Sequence, residues 1–99
     1  MGFHVKASIG EGFGVKTPEL NIRVMLKYIV HNNDGENCRV EVRGSPLIQE
    51  GELNGLSIDS SLIVAPDITI KINRIGYNSR RVKFYVDKPG EYKVYQIKR

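Results

Sequence analysis

Between Lys71 and Arg99 the chain carries nine bases against two acids, Asp87 and Glu91, a surplus of +7 (9 − 2) over 29 residues. Basic side chains attract phosphate, and tyrosine rings stack on unpaired bases, so this stretch holds the groups that bind single-stranded nucleic acid. Their spacing matters more than their number. In "ITIKI", "RVKFYVD" and "YKVYQ" apolar residues fall at every second position, the mark of a half-buried strand. With Ile68, Ile70 and Ile72 inward, Lys71 points outward. With Val82, Phe84 and Val86 inward, Arg81, Lys83 and Tyr85 point outward, and Arg80 precedes them at the turn. With Tyr92 and Val94 inward, Lys93 and Tyr95 point outward. If these strands are neighbours, Lys71, Arg80, Arg81, Lys83, Tyr85, Lys93 and Tyr95 form one basic and aromatic wall. The plainer reading is a solvated strand face, where lysine and tyrosine serve edge protection and β-propensity.

Other chemistries find less support. "GEGFG" (10–14) has the look of a phosphate loop, but such loops need a helix to follow, and "VKTPELNIRV" continues as strand; a turn or bulge is expected instead. His4, His31 and Cys38 lack the paired short spacings of a zinc site. Cys38 reads as a small buried hydrophobe. No acid pair or Ser/His/Asp set stands out, so neither an enzyme nor a cofactor is expected.

The elements that must position the basic wall are strands. Ten glycines and four prolines interrupt any helical period, and no stretch keeps apolar residues at i, i+3, i+4 and i+7 for three turns. "FHVKA" (3–7) alternates. "ELNIRVMLKYIV" (19–30) and "CRVEVRG" (38–44) flank the turn signal "HNNDGEN" (31–37) and read as a hairpin, with Val40 and Val42 inward. Segment 45–61 is expected to be a connection, with short strands at 47–49 and near 56–58. Then come "LIVAPDITIKINRI" (62–75), the turn "GYNS" (76–79), "RRVKFYVD" (80–87), the turn "KPG" (88–90) and "EYKVYQIKR" (91–99). "KTPELNIRV" (16–24) and "VAPDITIKI" (64–72) echo each other 48 positions apart (66 − 18). The expectation is one all-β domain over 1–99: two similar small antiparallel units of duplicated hairpins, halves 3–47 and 50–99, packed into one pseudo-twofold sandwich or barrel-like domain of seven to ten strands.

Composition bounds the class. Of 99 residues, 40% are hydrophobic and 26% charged, the balance of a folded protein, and the net charge of +4 sits mostly in the second half. No apolar run approaches the roughly 18 residues of a membrane span, and "MGFHVKASIGEG" has no signal-type apolar core, so no membrane partner is expected. One cysteine fits a reducing compartment, so the expected location is cytoplasmic.

Residues 62–96 carry a resemblance. "LIVAPDITIKI", a turn, then "RVKFYVDKPGEYKVYQ" resembles the second to fifth strands of the carbon storage regulator (Csr/Rsm) proteins, with "DKPGE" at that family's "APKE"-like turn. "FHVKASIGEGFGV" (3–15) is similar to the family's opening strand and its "VGE" turn. The resemblance implies a small β-structure whose first and last strands form a positive site for single-stranded RNA in a translational regulator. The family is an interlocked homodimer; the resemblance implies either a homodimer here too or, with a tandem copy in one chain, an internal pseudo-dimer. The family's basic pair falls at Ala7 and Ser8, and its last-strand arginine at Gln96, so the resemblance carries the fold further than the site. The alternative expectation is a protein-interaction or structural β module, of phage-accessory or immunoglobulin-like type, since "PGEYKVY" also suits a sandwich strand.

Overall fold

The computed structural model describes residues 2–99, which form nine strands and no helix. They are β1 (Gly2–Ser8), β2 (Gly12–Lys16), β3 (Asn21–Asn32), β4 (Gly35–Arg43), β5 (Leu53–Leu56), β6 (Ser61–Ala65), β7 (Ile68–Gly76), β8 (Arg81–Asp87) and β9 (Lys93–Ile97). Two antiparallel sheets result: sheet A in the order β1-β8-β7-β6, and sheet B in the order β5-β4-β3-β2-β9. The alternating residues meet between them. Ile22, Val24, Leu26, Val40 and Val42 of sheet B and Ile68, Ile70, Ile72, Val82 and Val86 of sheet A are buried in one cluster. Phe13 and Phe84 join the two sheets at its centre, with ring centroids 5.0 Å apart and a 55° tilt, an attractive aromatic arrangement. No helix among the described residues is long and apolar enough to cross a membrane.

The two sheets correspond strand for strand. Exchanging β1 with β5, β2 with β6, β3 with β7 and β4 with β8 turns the order of sheet A into β5-β4-β3-β2, the first four strands of sheet B. The opening strand of each half is traded: β1 pairs with β8, and β5 pairs with β4. β9 has no counterpart; it lies beside β2 in sheet B rather than beside β8. Pro18 and Pro66, the centres of the sequence echo, occupy the β2–β3 and β6–β7 turns. The equivalence at residue level is shifted, however. Both long strands carry a bulge, at Leu26/Tyr28 in β3 and Ile72/Arg74 in β7, 46 positions apart (72 − 26) rather than 48. The turns before them differ in length, with Lys16 opposite Asn21 in one and Ala65 opposite Ile68 in the other.

Three local expectations are corrected. The turn foreseen over 31–37 shrinks to Asn33–Asp34, because Asn32 pairs with Gly35. Gly35 supplies φ +111°, and the Asp34 amide donates to Asn32 Oδ1 at 3.0 Å. "GEGFG" is no turn beyond Gly10: residues 12–16 are a central strand with Phe13 and Val15 fully buried. Its glycines are there for clearance, since a Cβ at Gly12 would meet the Val24 carbonyl oxygen and one at Gly14 the Tyr95 ring. Segment 45–61 holds only β5 before β6 begins at Ser61. The Ser45 hydroxyl accepts the Leu47 and Ile48 amides, each at 3.1 Å, and bends the chain where a strand was expected. Ser57 and Ser60 close a second turn across 57–60.

Candidate nucleic-acid interface

The outer face of sheet A collects cations in register. Lys83 of β8 lies directly opposite Lys6 of β1 on one side and Arg74 of β7 on the other. One step of two residues along the strands, Tyr85 lies between His4 of β1 and Lys71 of β7. Thus two rows cross three strands: Lys6–Lys83–Arg74 and His4–Tyr85–Lys71. Arg81 extends the first row towards the β7–β8 turn, opposite Ser8 and Gly76. None of the ion pairs found among the described residues involves Lys6, Lys71, Arg74, Arg81 or Lys83. Like charges directly opposite on a sheet repel, so the first row costs stability and carries a standing positive potential. A groove of about 310 Å³ opens beside it, lined by Lys6, Arg74, Arg81 and Lys83 with Asn73 and Ser79.

Of the seven residues anticipated for one wall, Lys71, Arg81, Lys83 and Tyr85 share it. Arg80 sits in the adjoining turn with φ +60°, a left-handed conformation uncommon for a residue with a side chain. Lys93 and Tyr95 do not join the wall, because β9 crosses to sheet B. The edge of β8 that β9 was expected to cover is taken by β1, some 80 residues earlier in the chain. The Tyr95 ring instead lies over Gly14 and its hydroxyl donates to Asn21 Oδ1 at 2.6 Å. The two groups still approach at the sandwich edge. A groove of about 300 Å³ has Phe3, Lys6 and Lys83 on one side and Val94, Tyr95 and Gln96 on the other. The Gln96 amide nitrogen lies 3.5 Å from the Lys6 carbonyl oxygen there.

Three residues of the wall lie outside the set anticipated from the sequence. His4 and Lys6 follow the alternation of "FHVKA", but nothing local says that their strand lies against β8. Arg74 falls on the inward phase after Ile68, Ile70 and Ile72; the bulge at Ile72/Arg74 turns it outward and sends Ile75 inward. The tyrosines also have structural work. Tyr85 leans on Gly2 and on His4, with ring centroids 5.0 Å apart, so part of its surface is already covered.

Electrostatics differ at the far end of the molecule. Tyr92 donates its hydroxyl to Asp67 Oδ2 at 2.7 Å, tying the β8–β9 connection to the β6–β7 turn. That bond, with desolvation and the charges of Asp67, Glu91 and Glu19, holds the phenol above its ordinary pKa. Cys38 is buried, and burial pushes its thiol up to about 11, away from reactivity. His31 faces Glu36, with Nδ1 3.6 Å from the carboxylate. Among the described residues no cluster of three His, Cys, Asp or Glu is placed to hold a metal. No family model, no curated protein and no solved structure matches this chain.

Proposed function

We propose that this protein binds single-stranded RNA on the outer face of sheet A, as a cytoplasmic post-transcriptional regulator rather than an enzyme. The observation that carries the reading is the row Lys6–Lys83–Arg74, three cations abreast with no carboxylate paired to any of them among the described residues. A fold built for stability alone gains nothing from such a row, whereas a polyanion offsets its repulsion. His4 and Tyr85 beside it supply ring faces for unpaired bases. The traded strands β1 and β5 support the internal pseudo-dimer implied by the resemblance to the carbon storage regulators.

The test is fluorescence anisotropy of a labelled single-stranded RNA oligomer across a salt series. Binding is expected at micromolar protein or better in low salt. The log–log salt plot should fall by about 0.7 per neutralised phosphate. Replacing Arg81 and Lys83 by Ala is expected to weaken binding and flatten the line. No retention of RNA at low salt would favour the second reading, a protein-interaction module. That reading has its own observation: β6 is an open edge with no charged residue, and Ile63 on it is 54% exposed.

A further inference from the structure

The strand-for-strand correspondence of the two sheets allows the basic face to be compared with its own copy. Aligned on the bulges, Lys6, Lys83 and Arg74 of sheet A correspond to Gly55, Arg39 and Tyr28 of sheet B. His4, Tyr85 and Lys71 correspond to Leu53, Glu41 and Met25. Where sheet A sets three cations abreast, sheet B sets one. Where sheet A has a ring, sheet B has Glu41, whose carboxylate lies 3.1 Å from Arg43 and 4.0 Å from Lys27. The remaining bases of sheet B are Arg23, which faces Arg43 where that residue is already paired to Glu41 and Glu50, and Lys16 and Lys93, which face each other beside the turns bearing Glu19 and Glu91. The frame is doubled and the site is not.

Direction also follows from the placement of charge. A ligand running along β8 passes Arg81, Lys83 and Tyr85 and then meets Asp87, and one running along β1 meets Glu11, whose carboxylate accepts the Ser8 amide at 3.2 Å. A ligand running across the strands meets cations only. Neighbouring strands lie about 4.8 Å apart, so the row from Lys6 to Arg74 spans about 10 Å, and the ring-bearing row lies about 7 Å to one side. Nucleotide steps of a single strand range from about 3.4 Å when stacked to roughly twice that when drawn out, so the row takes two or three phosphates.

Resting on the RNA-binding reading, we propose that the ligand is a short single-stranded segment of about three nucleotides crossing sheet A from β1 over β8 to β7. Its phosphates lie on Lys6, Lys83 and Arg74 and its bases towards His4 and Tyr85. Each chain takes one segment, and sheet B takes none.

The experiment uses the full chain and unstructured RNA oligomers of two, three, four, six and twelve nucleotides at low salt, with calorimetry on the four-nucleotide oligomer for stoichiometry. Affinity should rise steeply up to three or four nucleotides and then change less than threefold. The stoichiometry should be one per chain, and the salt slope about −2 for roughly three phosphates. Replacing Lys6 and Arg74 together by Gln should cost at least tenfold, while replacing Arg23 and Arg39 of sheet B by Gln should change affinity less than twofold. The proposal is overturned by affinity that climbs steadily to twelve nucleotides, by two segments per chain, or by equal losses from the two variants; in each case RNA binding itself survives. Binding of no oligomer at any length would overturn the RNA reading and this inference with it.

Discussion

Lys6 and Lys83 are direct cross-strand partners on adjacent strands, although 77 positions (83 − 6) separate them in the chain. Their ammonium groups share an exposed sheet face with Arg74 next in line. A pair of like charges held this way lowers stability by a few tenths of a kcal/mol up to about 1 kcal/mol. Lys6→Glu therefore has opposite effects on two readouts. It should raise stability by roughly 0.5–1 kcal/mol, seen as a thermal midpoint a few degrees higher, because it creates a cross-strand ion pair with Lys83. It should also weaken RNA binding at least tenfold. A variant that is no more stable, or that binds as tightly as the parent, contradicts this account of the row.

The glycines of β2 should respond unequally to a methyl group. Gly12→Ala drives its Cβ into the Val24 carbonyl oxygen, so backbone must move, and a loss of about 2–3 kcal/mol is expected. Gly14→Ala meets only the end of the Tyr95 ring, which swings away and gives up its bond to Asn21, for a loss of about 1 kcal/mol. Urea denaturation of both variants checks the order, and Tyr95→Phe should match the smaller loss.

Alkaline pH should act through Cys38. Its folded pKa of about 11 lies above the ordinary 9.0, so above pH 9 the thiol ionises in the unfolded chain before it does in the folded one. Stability is thus intact below pH 9 and falls between 9 and 11, by on the order of 2 kcal/mol. The informative quantity is the difference from Cys38→Val, in which this part of the slope should vanish.

Arg80 holds a left-handed backbone at φ +60° while its carbonyl accepts the Ile9 amide at 3.2 Å, joining the β7–β8 turn to the end of β1. Glycine takes that conformation freely, and the strain relieved exceeds the entropy it costs by about 0.5 kcal/mol. Arg80→Gly should accordingly be slightly more stable than the parent by thermal denaturation. Its effect on RNA binding should be smaller than that of Lys83→Ala, since Arg80 lies beside the cation row and not within it.

Much of the architecture is legible locally. Period-two alternation in "ITIKI", "RVKFY" and "CRVEV" identifies strands and their inward faces, and the buried residues Ile70, Phe84 and Val40 lie on those faces. The proline-centred echo at Pro18 and Pro66 points to a doubled unit, and the strand order bears that pattern. Alternation fails where clearance or hydrogen bonding overrides it. Gly12 and Gly14 read as a turn because glycine signals one, yet here they make room for neighbours within a central strand. Pro46 and the Ser45 hydroxyl turn 45–49 into bends at the place where β9 would have its counterpart.

The sequence by itself determined which side chains face outward along the unbroken stretches of strand, because a regular pleat alternates them whatever the strand's neighbours are. Only the tertiary structure decided which outward faces lie side by side. Neighbour choice rests on non-local packing: β1 occupies the edge of β8, β9 crosses to cover β2, and a single bulge in β7 brings Arg74 outward. Lys6 and Arg74 thereby enter the basic wall in place of Lys93 and Tyr95. Composition and spacing are silent on that exchange, since strand pairing distant in sequence depends on the whole core closing at once.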